Sequence, residues 1–255
     1  MKIVYCGFGR AGTQCLLQLL KEGYSCSSIY VYTHDDEFNK DFLILLENLK
    51  ISYTFQSINK SISELISFNG DILLSVYYKF IIKKEILSLF NGKSMNCHPS
   101  LLPDYKGCFS SVWALLNKEK QTGISFHYML PEVDEGNIIL QKKIDILKED
   151  TAYSLYQKLI TIFSNNFILA FNLLLKNHKG VSQKNLKSQN RYYGRNLPLN
   201  GVMEIKNADN ESIEQFIKAM YFPPFSPAKF LLNGEEVKSI NLKLENEEYL
   251  KYLTI

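Results

Sequence analysis

The chain begins with a glycine-rich turn between an apolar strand-like run and a helix-like stretch. Gly7, Gly9 and Gly12 have the spacing G-x-G-x-x-G and follow the apolar residues 3–5, and leucines then recur at helical spacing over residues 16–20. A strand, a tight glycine turn and a helix in this order form the first unit of a parallel α/β sheet. The same spacing is typical of dinucleotide-binding turns, so a nicotinamide-dependent oxidoreductase is one interpretation.

Strand-like and helix-like segments alternate through the first two thirds of the chain. Apolar runs predict strands at residues 2–6, 29–33, 52–55, 72–77 and 94–97. Between the second and third of these runs, residues 38–49 place apolar side chains on one face of a helix. The sequence therefore predicts the α/β class, with a Rossmann-like core built on a doubly wound, mostly parallel sheet.

The pattern changes in the last half of the chain. Two strands and then a long helix are predicted at residues 122–130, 137–146 and 152–177. Residues 179–190 are polar and lack apolar periodicity, which is typical of a linker. A helix and two strand-like pieces are predicted beyond it, at residues 212–220 and around Leu231 and Ile240. We expect a catalytic core over residues 1–180, and a linker with a small α+β appendage over residues 181–255.

The composition argues against several classes of protein. The 255 residues carry 29 basic and 26 acidic side chains, a net charge of +3, so the basic bias typical of nucleic-acid-binding proteins is missing and no nucleic acid is expected as a partner. The five cysteines show no C-x-x-C spacing, which favours reduced thiols over disulfides or a zinc site, and no metal is expected. Without a signal segment or an unbroken apolar run of membrane-spanning length, we expect a cytoplasmic protein with no membrane partner.

The stretch SMNCHPSLLPDYKG, residues 94–107, carries the polar side chains with the clearest chemistry. Asn96 and His98 are two residues apart at the end of a predicted strand, so both side chains project to one face and that of Cys97 projects to the other. Pro99 keeps His98 out of helical geometry and so supports an extended backbone. An amide that donates to an oxyanion, beside an imidazole that moves a proton, suits acyl transfer.

This chemistry also requires a carboxylate that sets the tautomer and basicity of the imidazole. Asp134, in a loop between two predicted strands, is the best candidate, and Gly136 gives that loop the freedom to approach a ligand. His127 lies within the preceding strand, and for it a structural or supporting role is favoured. Arg195, in the C-terminal tail, is expected to anchor that tail.

Several motifs occur in a fixed order over about 40 residues. They are Asn-x-His-Pro-Ser-Leu-Leu-Pro, an aromatic and a basic residue, Gly, then Thr122-Gly123 and Asp134-x-Gly136. In this order they resemble the folate-dependent formyltransferases. The resemblance implies that Asn96, His98 and Asp134 form a catalytic triad and that 10-formyltetrahydrofolate is the formyl donor. It implies a folate site near Asp134, for which we expect Leu101, Leu130, Val133, Asp134 and Gly136.

The segments beyond the core discriminate between branches of that family. Residues 192–201 and 219–230 resemble the segment that follows the core in the nucleotide-sugar and tRNA branches. The tail is short for the tRNA branch and the chain is nearly charge-balanced, which favours an amino-sugar nucleotide as the acceptor. We expect dTDP-4-amino-4,6-dideoxyglucose or a 3-amino isomer, used for surface polysaccharide, and a homodimer. Methionyl-tRNA formyltransferase and glycinamide ribonucleotide formyltransferase are the alternatives.

Two sequence regions are expected to bind the acceptor. Tyr77, Tyr78 and Lys79 resemble the sugar branch, and Lys79 is expected to meet a diphosphate. Gly9 and Arg10, at the N-terminus of the first helix, are expected to hold a phosphate of the acceptor.

Two further alternatives for the function stay open here. An oxidoreductase rests on the glycine spacing and on Asp35 or Asp36 after the second strand, and a silent binding module would retain the fold without the activity.

Overall fold

The computed structural model describes residues 1–238 and 241–253, and strands and helices alternate along most of that length. The strands are β1 (Ile3–Gly7), β2 (Ile29–Tyr32), β3 (Ser52–Thr54), β4 (Ile72–Val76), β5 (Ser94–His98), β6 (Lys106–Gly107), β7 (Gln121–Tyr128), β8 (Ile138–Asp145), β9 (Tyr192–Tyr193), β10 (Val202–Glu204), β11 (Lys229–Leu232) and β12 (Glu235–Val237). The helices are α1 (Gly9–Lys21), α2 (Lys40–Asn48), α3 (Ile62–Phe68), α4 (Lys84–Leu87), α5 (Ser110–Leu116), α6 (Ala152–Leu175) and α7 (Asn210–Met220).

A seven-stranded sheet forms the centre of the fold, with the strand order β3-β2-β1-β4-β5-β7-β8. The first five strands in this order run parallel, and β7 and β8 are antiparallel to their neighbours. The prediction of a doubly wound, mostly parallel sheet is therefore confirmed. The order reverses between β1 and β4, and ligands of such sheets bind beyond the carboxyl ends of the strands near this switch point.

Helices cover both faces of the sheet because the central strands are apolar on both sides. In β1, Ile3 and Tyr5 belong to the large core cluster that includes residues of α1 and α6. Val4 and Cys6 alternate with them and belong to a smaller cluster on the opposite face. Every residue of β1 is buried, as expected for a strand inside a covered parallel sheet.

The longest helix, α6, contributes more buried residues to the large core cluster than any other described helix. Its N-terminus is capped by Thr151, whose side chain forms a capping box with Ser154. By length and composition alone, α6 is the one helix in the described part of the chain that could cross a membrane, a property that core helices of globular proteins share. Lys158 interrupts its apolar run, and the helix packs on the sheet through Phe163 and Phe167, whose rings contact Phe126 of β7.

The C-terminal region is a small α+β appendage that packs on the core. It contains α7 and a three-stranded sheet in the order β10-β11-β12. Ile213, Phe216 and Phe230 belong to the same hydrophobic cluster as α1 and α6, so this region shares the core of the main sheet. Leu231 lies in β11 as predicted, whereas Ile240 lies outside the described residues. The division at residue 180 stays a prediction.

Replacement of Phe163 tests the packing of α6 on the sheet. The Phe163 ring packs edge-on against Phe126 and Tyr77, with centroid distances of 5.5 and 6.0 Å. We expect Phe163→Ala to lower the free energy of unfolding by about 3–5 kcal/mol, because it leaves a cavity in the core. Urea unfolding followed by circular dichroism measures the change.

The matched control lies on the same helix. Leu169 is 51% exposed, so Leu169→Ala is expected to change the free energy of unfolding by less than about 1 kcal/mol. Similar losses in both variants would contradict this account of the core.

Candidate active site

The end of β5 presents its polar side chains toward β7 and the loop that follows it. Asn96 lies opposite His127 in the antiparallel β5–β7 pair, and His98 lies opposite Ser125. Cys97, between them, belongs to the hydrophobic core cluster. The prediction that Asn96 and His98 share one face, with Cys97 directed away from them, agrees with this arrangement.

Asp134 enters from the turn between β7 and β8 and places its carboxylate among these groups. Oδ1 lies 3.4 Å from Nδ2 of Asn96 and 3.3 Å from Nε2 of His127. Oδ2 accepts a hydrogen bond of 2.9 Å from the backbone N–H of Gly107 and lies 3.4 Å from Nδ1 of His98. The structure thus brings the three predicted catalytic residues together and adds His127 to the group.

A backbone carbonyl fixes the tautomer of His98. The Nε2–H of His98 donates to the carbonyl oxygen of Tyr105 at 2.8 Å, and a carbonyl can only accept. Nε2 therefore carries the hydrogen, and Nδ1, beside Asp134, is the nitrogen that takes up or releases a proton. The sequence analysis expected Asp134 to set both the tautomer and the basicity of His98. In the structure Tyr105 sets the tautomer, and Asp134 affects the basicity.

Burial holds His98 neutral, and the neighbouring groups hold Asp134 ionised. Burial lowers the pKa of His98 below its usual value, although the Asp134 carboxylate and the hydrogen bond to Tyr105 oppose this shift. Burial alone would raise the pKa of Asp134, but His98, His127 and the Gly107 N–H outweigh it and hold that pKa well below its usual value. The resting site therefore contains a neutral base next to a carboxylate.

A cavity of about 520 Å³ opens next to this group. Segments from the ends of β4, β5 and β7 and from the tail surround it. Its lining includes residues 77–82, 107–110 and 129–134, together with Tyr192 and Arg195. Residues 129–133 contribute Met129, Leu130, Pro131 and Val133, so one part of the wall is mainly apolar, as is usual for small-molecule sites.

Three of the five side chains predicted to bind the folate line this cavity, namely Leu130, Val133 and Asp134. Leu101 does not: its side chain packs over Gly123 of β7, where a Cβ atom would come within 2.6 Å of it. Gly136 does not either, because it packs against Tyr128, whose carbonyl oxygen a Cβ atom would meet at 1.8 Å. Both residues lie outside the cavity lining and pack closely against β7, and their contact with the folate stays a prediction.

Of the residues predicted to bind the acceptor, some line the cavity and others do not. Tyr77, Tyr78 and Lys79 line the cavity. The Tyr77 ring packs against Tyr156 and Phe163, and Tyr78 stacks on His34 with a centroid distance of 4.8 Å.

The glycine turn lies outside the cavity lining. The N–H of Gly9 donates to Oδ1 of Asn39 at 2.8 Å, and the Arg10 side chain contacts Gln157. Gly12 lies against Gly7, where a Cβ atom would come within 3.1 Å, so the glycines allow close packing of α1 on β1. The structure thus does not bring Gly9 and Arg10 into the cavity as phosphate ligands.

Charged groups near the mouth of the cavity come from two distant parts of the chain. The Lys79 ammonium pairs with Asp36 and lies 4.3 Å from the centre of the Phe8 ring. The guanidinium of Arg195 donates to the carbonyl oxygen of Lys79, so Arg195 anchors the tail and also lines the cavity. No group of three metal-ligating side chains is found among residues 1–238 and 241–253.

Sequence comparison identifies the family. Residues 1–170 match the family model described as formyl transferase. The GDP-perosamine N-formyltransferase of Brucella melitensis biotype 1 is 32% identical over 237 residues, which are 92% of this chain and 90% of that protein. The chain belongs to the formyl transferase family. Folate-dependent formyl transfer is characteristic of this family, so the oxidoreductase interpretation of the glycine spacing is wrong.

Two solved structures of formyltransferases share the fold. WlaRD, a sugar 3N-formyl transferase crystallised in the presence of dTDP and 5-N-formyl-THF, has a TM-score of 0.74 and 25% identity, over 93% of this chain and 84% of its own. An N-formyltransferase from Helicobacter canadensis, in complex with folinic acid and dTDP-3-aminofucose, has a TM-score of 0.73 and 24% identity, over 92% of this chain and 85% of its own. The second likeness is one of fold alone.

The charge state of His98 gives a direct test of the site. In NMR titrations of the free protein, we expect His98 to titrate below the usual histidine pKa of about 6.5, because burial disfavours its charged form. Asp134 raises the pKa of His98, so in Asp134→Asn the titration is expected to move to still lower pH.

His34 provides the internal control, since burial lowers its pKa to about 4 and it lies outside this group. Its titration is expected to stay the same in Asp134→Asn. A higher pKa for His98 in that variant would contradict the proposed electrostatics.

Proposed function

We propose that the protein transfers a formyl group from 10-formyltetrahydrofolate to the amino group of a nucleotide-linked amino-dideoxy sugar. The observation that carries this proposal is the group formed by Asn96, His98 and Asp134, which borders a cavity with a mainly apolar wall and a cationic edge. Similarity to the Brucella and WlaRD sugar formyltransferases supports the acceptor class.

Asn96 supplies the donor for the charge that develops during transfer. When bound, the folate presents an electrophilic formyl carbon, and attack by the amine turns its carbonyl oxygen into an oxyanion. The Nδ2–H group of Asn96 donates to that oxygen from the end of β5, a strand fixed on both sides by the sheet. A preorganised donor of this kind is worth roughly 3–4 kcal/mol of barrier.

His98 and Asp134 move the proton. The neutral Nδ1 of His98 takes the proton that the amine loses when its bond to the formyl carbon forms. Asp134, 3.4 Å away, then pairs with the imidazolium. His98 returns the proton to the folate nitrogen as its bond to the formyl carbon breaks. Burial lowers the pKa of His98, so the neutral form is favoured at the start of the reaction.

The two ends of the lining suggest places for the two substrates. We assign the apolar residues 129–133 to the folate, whose ring system is flat and largely apolar at its edges. We assign Tyr77, Tyr78 and Lys79 to the acceptor, with Lys79 and Arg195 near its diphosphate. dTDP-4-amino-4,6-dideoxyglucose is the acceptor to test first, with use in a surface polysaccharide. The homodimer and the cytoplasmic location stay predictions.

An acceptor screen tests the function. The purified protein and 10-formyltetrahydrofolate are incubated with dTDP-4-amino-4,6-dideoxyglucose, its 3-amino isomer, GDP-perosamine, glycinamide ribonucleotide and methionyl-tRNA. Mass spectrometry is expected to detect a formylated nucleotide sugar. Activity confined to methionyl-tRNA or to glycinamide ribonucleotide would defeat the proposal.

Replacement of the polar residues on β5 tests the mechanism. Asn96→Ala and His98→Ala are each expected to lower kcat by about a hundredfold or more, since each removes a group that acts only in the transition state. Thermal unfolding verifies that both variants fold. His178→Ala, at an exposed histidine after α6, is the control and is expected to keep kcat. If Asn96→Ala or His98→Ala keeps turnover within about twofold of the wild type, the replaced residue has no part in the mechanism.

Replacement of Lys79 tests the assignment of the acceptor. Loss of a charge-assisted contact to a phosphate is expected to raise KM for the nucleotide sugar about tenfold in Lys79→Ala, with KM for the folate unchanged. Lys83→Ala removes an exposed lysine outside the lining and is expected to change neither constant. A selective rise in KM for the folate would place Lys79 in the other subsite.

A further inference from the structure

A lysine with an almost completely buried side chain lies directly behind the candidate active site. The side chain of Lys106 is 3% exposed, and its Nζ donates to Oε1 of Glu135 and to Oδ1 of Asn190, both at 2.6 Å. A buried ammonium group is costly unless it is paired and hydrogen-bonded, so an arrangement with two acceptors from distant segments restricts all three partners. The mechanism proposed above does not use this group.

The residues on either side of Lys106 hold the reacting side chains. The carbonyl of Tyr105 accepts the hydrogen bond from His98, and the N–H of Gly107 donates to Asp134. Glu135, the partner of Lys106, directly follows Asp134 in the chain. The ion pair therefore connects the segment that fixes His98 to the loop that carries Asp134.

The second acceptor, Asn190, attaches the same segment to the C-terminal tail. Next to it, β9 pairs in parallel with β6, and the N–H of Lys106 donates to the carbonyl of Arg191 at 3.0 Å. The guanidinium of Arg191 lies 4.3 Å from the centre of the Tyr105 ring and pairs with Glu119, which also accepts from the Tyr105 hydroxyl. The tail thus restrains the backbone of residues 105–107 from the side opposite Asp134.

We propose that Lys106 is a positioning residue for formyl transfer, because its ammonium group, held between Glu135 and Asn190, sets the distance between His98 and Asp134. Lys106 acts through the positions of His98 and Asp134 and does not itself contact the reacting atoms. The proposal rests on the proposed function for its kinetic consequence, but its structural consequence is measurable in the protein without any acceptor.

The first measurement is spectroscopic. Imidazole ¹⁵N chemical shifts of the free protein, at a pH where His98 is neutral, distinguish a ring nitrogen that carries hydrogen from one that does not. The wild type is expected to show His98 with hydrogen on Nε2 alone. In Lys106→Met, the Tyr105 carbonyl is no longer held in position to accept from His98, and a mixture of both His98 tautomers is expected. The chain has four histidines, so His98→Gln identifies the relevant signals.

The second measurement is a double-mutant cycle on kcat. Lys106→Met is expected to lower kcat about tenfold or more, as displaced catalytic groups do, with both KM values changed by less than about threefold. Because Lys106 sets the distance between His98 and Asp134, its replacement is expected to lower kcat by a smaller factor in the Asp134→Asn variant than in the wild type. Multiplied losses would instead show an independent role and overturn the proposal.

Two further variants keep the test decisive. Lys158→Met removes a different ion-paired lysine, whose partner is the buried Asp150 just before α6, and is expected to leave kcat and the His98 signals unchanged. Asn190→Ala changes an exposed residue and carries the test if Lys106→Met does not fold; it is expected to shift the His98 signals in the same direction. A folded Lys106→Met or Asn190→Ala protein with unchanged His98 signals overturns the proposal. A wild type that formylates no nucleotide sugar defeats the proposed function instead, and the spectroscopic result still stands.

Discussion

The carboxylate of Asp134 is the interaction on which the rest of the site depends. It lies among Asn96 and His98 of β5, His127 of β7 and the backbone N–H of Gly107, and its side chain is only 9% exposed. Because this buried carboxylate is already held by fixed groups, those groups do not have to reorganise when a positive charge develops beside it. The neutral His98 can therefore become an imidazolium in a place already prepared for that charge.

This arrangement requires left-handed backbone conformations, which are unfavourable for residues other than glycine. Tyr77, Tyr105, Phe109 and Asp134 all border the site and all have positive φ values, between 55° and 60°. Such conformations cost about 1 kcal/mol or more each for residues other than glycine. The surrounding contacts offset this cost: Gln183, for example, donates both of its amide hydrogens to the carbonyls of Asp134 and Gly136. The buried Gln183 also shows that the polar stretch predicted as a linker helps to build the site.

The sequence predicted those parts of the molecule that depend on local pattern. Strand alternation placed Asn96 and His98 on one face, and apolar runs predicted the strands of the sheet to within a few residues. The roles of Tyr105, Lys106 and Gln183 were not predicted, because each contacts the site through residues brought close only by the tertiary fold. Asn190, for instance, is 84 residues from Lys106. The glycine spacing indicated the correct turn but the wrong ligand, since spacing determines how the chain bends and leaves open what binds there.

The parallel pairing of β6 with β9 has a consequence for how the protein is made. The two strands are separated by the rest of the main sheet, the whole of α6 and the polar stretch after it, and within residues 1–238 and 241–253 neither has another strand as a partner. A contact between such distant segments forms late, because a long loop must close first. During synthesis the strands of the main sheet and residues 129–133 therefore leave the ribosome before the segment that holds His98 can be secured. The pairing that secures this segment can form only after residue 193 has left the ribosome.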